Sequence, residues 1–212
     1  MESIIGQWSS CRKEDGIKRI IIPLLIMAFY LLVGHMTAMG ASDPPSDGEA
    51  LPDLDFPAPD DPSERNYLGL SGGRDFKIQE VKADVVIIEI FSMYCPFCQR
   101  EAPAVNRLYN KIEGNASIRD KIKLIGIGAG NSSFEVGIFK KKYHVPFPLI
   151  PDNDFSIYNA LGKVRTPYFI GVKINPEGTN QIIYSKLGAL KGEDRFLKLI
   201  LKHSGLGKEG EK

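Results

Sequence analysis

Two cysteines separated by two residues, Cys95-Pro96-Phe97-Cys98, are the residues of this chain best suited to do chemistry. Two intervening residues in a tight turn allow the ~5.5 Å Cα separation that a disulfide needs. The pair follows the apolar run Val85-Val86-Ile87-Ile88-Glu89-Ile90-Phe91, which reads as a buried strand, and precedes helical spacing from Glu101 to Ile112. A strand, a short turn and a helix opening on Cys-x-x-Cys is the layout of a thiol–disulfide redox site. The first sulfur then lies beside unpaired amides and the positive end of the helix dipole, which favour its anion. On this reading Cys95 attacks a substrate disulfide and Cys98 resolves the mixed disulfide; the reverse sequence oxidises a dithiol.

Other residues belong to the same candidate site. Glu89 interrupts the apolar strand six residues before Cys95. Buried beneath the sulfurs, it would take the proton from Cys98, burial raising its pKa towards that task; the plainer alternative is a strand-edge residue facing solvent. Pro103 falls inside the helix and is expected to kink it. Thr166-Pro167 precedes the apolar stretch Tyr168–Ile174. A cis bond there would expose a strand edge beside the sulfurs, to which a protein substrate's backbone can pair, but the isomer is not written in the sequence. Tyr94, Phe97 and Tyr168 offer a docking rim, or ordinary packing. With Pro96, these make Thr166, Pro167, Phe97 and Tyr94 the expected substrate-binding set.

The elements that must position these residues follow an amino-terminal targeting pattern. Arg12, Lys13, Lys18 and Arg19 flank a 14-residue apolar stretch, Ile20 to Val33, and small residues follow to Ala41. A basic start, an apolar core and a small-residue exit are the parts of a secretory signal, with a cut expected after Gly40. Fourteen residues fall short of the ~20 needed to span a bilayer, and an uncleaved anchor over 1–41 is the alternative. No cysteine sits at the exit for lipid attachment. Export places Cys95 and Cys98 outside the reducing cytosol, where disulfides persist, while Cys11 stays behind or is removed. Without residues 1–41 the chain has 23 basic and 23 acidic residues, which gives no electrostatic case for nucleic acid.

Residues 42–64 hold six prolines, eight acidic residues and no basic one, so 42–65 is expected to be an extended linker. The domain is expected over 66–204, with a polar, frayed tail over 205–212. Tyr67–Leu70 and Phe76–Ile78 look like short strands about Gly72-Gly73. Val85–Phe91 and Lys123–Gly128 read as central strands, with Cys98–Gly114, Phe134–Tyr143 and Phe155–Leu161 as helices and a short extended piece at Phe147–Ile150. Tyr168–Ile174 and Gln181–Leu187 form a hairpin about Asn175-Pro176-Glu177-Gly178, and Glu193–Lys202 closes the domain as a helix. Strands alternating with helices, then a hairpin and a last helix, give an α/β, three-layer α/β/α sandwich with a mixed central sheet.

From Asn66 to Lys202 the chain resembles thioredoxin-fold proteins of the TlpA/ResA-like redoxin group. Cys95-Pro96-Phe97-Cys98-Gln99-Arg100-Glu101-Ala102-Pro103 is similar to that group's Cys-x-x-Cys-x-x-Glu-x-Pro pattern. Glu89 matches the buried acid of thioredoxins, Thr166-Pro167 the cis-proline motif, and 130–154 the insertion that sets the group apart from plain thioredoxin. The resemblance implies a thioredoxin fold and an extracytoplasmic bacterial thiol-disulfide oxidoreductase, in the periplasm or on the outer face of the cytoplasmic membrane. It would act on protein thiols and disulfides without a cofactor or metal. It often supplies reductant for cytochrome c maturation, with a membrane electron donor as a further partner. The chain departs from the pattern in having Tyr94, not tryptophan, before Cys95 and in placing proline first between the cysteines. That order is similar to glutaredoxins and, more loosely, to DsbA-type oxidants, so the direction of electron flow stays open.

Other readings compete. A disulfide oxidase or isomerase uses the same residues. A thiol peroxidase is suggested by Ser92-Met93-Tyr94-Cys95 with Arg165, but Ile88 stands where that element has proline. Zinc needs four ligands, and His144 and His203 have no ligand spacing. A copper-binding thiol module would use the two thiolates for Cu(I).

Overall fold

The computed structural model describes residues 44–175 and 179–208. The expected signal or anchor over 1–41 and the centre of the Asn175–Gly178 turn lie outside the described residues. The elements are β1 (Phe56–Pro57), α1 (Pro62–Leu68), β2 (Asp75–Phe76), β3 (Val85–Phe91), α2 (Pro96–Glu113), β4 (Ile122–Ala129), α3 (Ser133–Tyr143), β5 (Leu149–Asp152), α4 (Ser156–Ala160), β6 (Tyr168–Ile174), β7 (Asn180–Leu187) and α5 (Glu193–Ser204). The main sheet runs β5-β4-β3-β6-β7. Strands β3, β4 and β5 are parallel neighbours, and β6 is antiparallel to both β3 and β7. The mixed sheet, the closing hairpin and the final helix are those expected. Segment 130–154 supplies α3 and the edge strand β5.

Side-chain alternation along the strands divides the core into two layers. Val85, Ile87 and Phe91 of β3 pack with Cys98, Val105 and Leu108 of α2, Val136 and Phe139 of α3, and Phe196 and Ile200 of α5. Val86, Ile88 and Ile90 face the other way, with Ile125 and Ile127 of β4 and Ile170 and Val172 of β6. The sheet is therefore buried on both faces, and β3 carries no exposed residue.

The second face is covered by the stretch expected to be a linker. Leu51 and Phe56 of that stretch are buried there, joined by Leu68, Phe76 and Ile78 from the expected domain. Phe56 pairs with Phe76 across a small antiparallel ribbon, ring centroids 5.6 Å apart. The backbone from Gly48 to Leu51 bonds to the edge of β7 through Ile182 and Asn180. Its prolines do not prevent this, because an edge segment needs few donors. Apolar residues spaced among the acids supply the buried side chains.

Tyr67 and Leu68, expected in a strand, end α1 instead. Asp61 caps that helix by accepting from Ser63 N–H, proline follows at the first helical position, and Gly69 closes it at φ 71°. The Tyr67 hydroxyl accepts the Leu124 N–H at 2.9 Å, at a level of β4 that β5 does not reach. Helix α2 runs through Pro103 to Glu113. The expected frayed tail begins instead with a 3-10 turn, Leu206–Lys208, and Leu206 packs on the core. Among the described residues no helix is long and apolar enough to cross a membrane.

Phe56→Ala should lower the stability of the purified chain by about 3–5 kcal/mol in urea unfolding, the cost of emptying a buried aromatic site. A loss below about 1 kcal/mol would mean that the amino-terminal strap does not pack on the sheet.

Candidate active site

Strand β3 ends at Phe91, and the turn Ser92–Tyr94 delivers Cys95 to the N-cap of α2, with Pro96 at the first helical position. Cys98 lies one turn in and is fully buried, whereas Cys95 is half-buried. Both are free thiols. Cys95 Sγ accepts the Cys98 N–H at 3.4 Å, as the open amides of a helix start require. In its thiol form it donates to the Thr166 carbonyl, also at 3.4 Å. The Thr166-Pro167 bond is cis, and it is set opposite the thiols because β6 pairs with β3 from Tyr168↔Ile90 onward.

The two sulfurs sit in unlike environments. Burial by itself pushes the Cys95 thiol up. The Thr166 side chain, the Cys98 thiol and the amides of Cys98 and Phe97 together outweigh it and hold Cys95 below the ordinary thiol range. Burial, helped by the neighbouring Cys95 thiol, pushes Cys98 well above it. One thiol is thus favoured as an anion, and the other keeps its proton until a base removes it.

Glu89 is that candidate base. It is 3 % exposed, not at a solvent-facing edge, and lies on the α2 side of β3 because it alternates with Ile87 and Phe91. Its Oε1 has no hydrogen-bond partner. Burial, then the charges of Glu101 and Cys95, push its pKa up to about 8. A carboxyl coupled in this way holds its proton while Cys95 is an anion and yields it more readily once that charge is gone.

Several supporting residues had no role in the sequence reading. Glu101, part of the Cys-x-x-Cys-x-x-Glu pattern, is buried on α2 and accepts the Leu190 N–H at 2.7 Å, tying the β7–α5 loop to the active-site helix. Burial raises its pKa, and the Leu190 bond opposes the rise. Asn131, fully buried after β4, accepts the Met93 N–H at 2.8 Å through Oδ1. Gln99 donates to the Met93 carbonyl at 2.7 Å. Asn131 can sit there because Gly128 has no side chain; a Cβ on it would lie 3.2 Å from that of Asn131 and 2.8 Å from Val136. No local pattern announces Asn131, since its partner is 38 residues away.

Of the expected docking residues, Phe97, Thr166 and Pro167 line one groove of about 330 Å³ together with Leu187 and Ala189. Phe97 is 64 % exposed. Pro96 and Tyr94 do not line it. Tyr94 instead donates its hydroxyl to Glu135, which also accepts from Ser132 in the capping box of α3. Tyr168 is core, its hydroxyl 2.8 Å from that of Ser185. Neither histidine approaches the thiols: His144 ends α3 at φ 53°, and His203 Nδ1 bonds the Ile183 carbonyl at 2.8 Å. Among the described residues, no group of three or more His, Cys, Asp or Glu is arranged to hold a metal.

A model of the AhpC/TSA family matches residues 48–184. Among curated proteins, the chain is similar to thiol-disulfide oxidoreductase ResA of Halalkalibacterium halodurans, 25% identical over 60% of this chain and 69% of that one. It is likewise similar to the ResA of Bacillus subtilis, 24% identical over 51% of this chain and 56% of that one. The matched region thus spans between about half and two thirds of these relatives. Among solved structures, the thioredoxin domain of a thiol-disulfide oxidoreductase from Bacteroides vulgatus aligns with a TM-score of 0.54 at 15% identity, over 74% of this chain and 99% of that one. That likeness is one of fold, and it is the thioredoxin fold expected.

The raised Glu89 pKa sets a pH dependence of stability. The folded chain holds this proton to about pH 8 and the unfolded chain releases it near 4.5, so between those values the native state binds more protons. The stabilisation from Glu89 is complete below about pH 4.5 and declines as pH rises to about 8. Between pH 5 and pH 8, Glu89→Gln should therefore gain on the parent by on the order of 2–4 kcal/mol in chemical unfolding. Parallel stability curves would mean that Glu89 titrates as an ordinary solvated carboxyl.

Proposed function

The chain belongs to the AhpC/TSA family, and from that premise we propose that it is an extracytoplasmic thiol-disulfide oxidoreductase acting on protein substrates, working as a reductant. The observation that carries the reading is the asymmetry of the pair: Cys95 half-buried, favoured as an anion and facing Thr166-Pro167, with Cys98 buried behind it. The relatives' name, thiol-disulfide oxidoreductase, agrees with it.

The reaction runs in two displacements. The Cys95 thiolate attacks one sulfur of the substrate disulfide; an S–S bond forms to Cys95, and the substrate's other sulfur leaves as a thiolate. Cys95 is now neutral, which removes one of the charges that kept Glu89 protonated. Glu89 gives its proton to the departed substrate thiolate through solvent and then accepts the Cys98 proton. The Cys98 thiolate attacks Cys95 Sγ, closes the Cys95–Cys98 disulfide and releases the second substrate thiolate. Two electrons have passed to the substrate; one of its thiols takes the proton relayed by Glu89 and the other takes a proton from water. A membrane dithiol donor is proposed to reset the pair.

Residues 12–41, with their basic flank and apolar core, support export or anchoring at the outer face of the cytoplasmic membrane. Reduction of apocytochrome disulfides is the setting that the redoxin resemblance suggests.

Two measurements test this. Cys95→Ser should abolish disulfide exchange with protein substrates, and Cys98→Ser should accumulate a mixed disulfide on Cys95, seen by non-reducing electrophoresis; unchanged exchange kinetics in both variants would end the proposal. The reduction potential of the pair tests direction. A value near that of thioredoxin, about −270 mV, supports a reductant, and one near about −120 mV makes the protein an oxidant.

A further inference from the structure

The groove beside Cys95 carries a charge that the chain as a whole does not. Arg100 and Arg165 line it with Thr166 and Pro167. Through Leu187 and Ala189 it continues into a second hollow of about 170 Å³, lined by Lys186, Lys191 and Arg195. Five cations therefore flank a track of two hollows that share Leu187 and Ala189. Among the described residues, the only carboxylate lining either hollow is Glu101, which is buried and engaged by the Leu190 N–H.

Among the described residues, these five side chains form no ion pair. Among the described residues, the ion pairs on this side of the molecule use other bases: Arg107 with Glu193 and Lys111 with Asp194, each at 2.6 Å. Arg100 lies over the Phe97 ring at 4.5 Å, and Lys186 over Tyr184 at 5.5 Å. Such contacts hold a cation's position without neutralising it. Glu193 and Asp194, the acids at the start of α5, are thus paired, and further acids gather around other hollows, at Asp55, Asp75 and Asp154 and at Asp60, Asp61 and Glu64. Phe97 and Leu187, 64 % and 46 % exposed, add apolar surface between the bases.

We propose that this track docks an acidic polypeptide segment, so that the favoured substrates are protein disulfides flanked by aspartate and glutamate. The proposal rests on the thiol-exchange reading above and specifies its substrate class. Carboxylates on either side of the target cysteine meet Arg165 and Arg100 near the thiols and Lys186, Lys191 and Arg195 farther along. An apolar side chain between them covers Phe97 or Leu187. Clustered charge of one sign raises the encounter rate with the opposite sign and discriminates against its own.

The test uses the purified full-length chain, reduced with dithiothreitol and desalted. It is mixed with three synthetic peptides that share one intrachain disulfide and differ only in acidic, neutral or lysine flanks. Each turnover passes two electrons: the Cys95 and Cys98 thiols become a disulfide and the peptide disulfide becomes two thiols, counted by alkylation and mass spectrometry. At low ionic strength the acidic peptide should react about tenfold or more faster than the lysine peptide, and the ratio should fall below about threefold in 0.5 M salt. The double variant Lys186→Glu/Lys191→Glu should slow the acidic peptide and speed the lysine peptide, a gain that misfolding cannot produce. Equal rates for all three peptides, unaffected by salt or by the double variant, would overturn the acidic-substrate proposal and leave disulfide exchange standing. No exchange with any peptide would remove both.

Discussion

Strand β3 lies between a parallel neighbour and an antiparallel one, with Glu89 level with Gly126 on β4 and Phe169 on β6. Because strand side chains alternate, that register decides three things together. It turns Glu89 under α2, it ends the strand where Cys95 must begin the helix, and it sets Thr166 beside the Cys95 sulfur. A slip of one residue would send Glu89 to the opposite layer and bring Ile88 and Ile90 to the α2 face. Burial of both faces prevents the slip, since every residue of β3 is buried and each layer has its own close packing.

Within that frame, the chemistry comes from sorting three ionisable groups by environment. Cys95 has amides and Thr166 within reach of its sulfur. Cys98, one helical turn deeper, has chiefly apolar surroundings, and Glu89 has an orphan oxygen. The same desolvation raises all three, and only at Cys95 is it outweighed. Rigidity of the turn matters for this, because the amides must stay aimed at the sulfur. Asn131 and Gln99 hold the two sides of the Met93 peptide, and Tyr94 is moored to Glu135. The segment between β4 and β5 thus contributes to the site by holding the turn that carries Cys95.

Residues 44–65 pack on the sheet instead of forming the expected linker, for a physical reason. Composition registers six prolines and eight acids, and it is blind to where the few apolar residues among them can land. Leu51 and Phe56 find a hydrophobic sheet face that would otherwise meet water. Burying a phenylalanine and its neighbours offsets the cost of ordering a stiff segment, and the fixed φ of proline reduces that cost. Tyr67 and Leu68 have the apolar character of a strand, but Asp61-Pro62 and Gly69 start and stop a helix there. The roles of Glu101 and Asn131 are not legible in the sequence, because each acts through a backbone amide far along the chain, at Leu190 and Met93.

What the sequence by itself determined was local or periodic: the Cys-x-x-Cys turn at a helix start, the apolar strands with their one acid, the hairpin and the layered α/β plan. These follow from short-range geometry and from the matching of hydrophobic period to element type. Tertiary structure alone decided which residues meet. It placed Thr166 at Cys95 across 71 positions, turned Glu89 inward, folded an acidic strap over the sheet and brought Arg100, Arg165 and Lys186 to one side of the thiols. Such encounters depend on strand register and on how two layers close over one sheet, and both are settled by the packing of the whole chain.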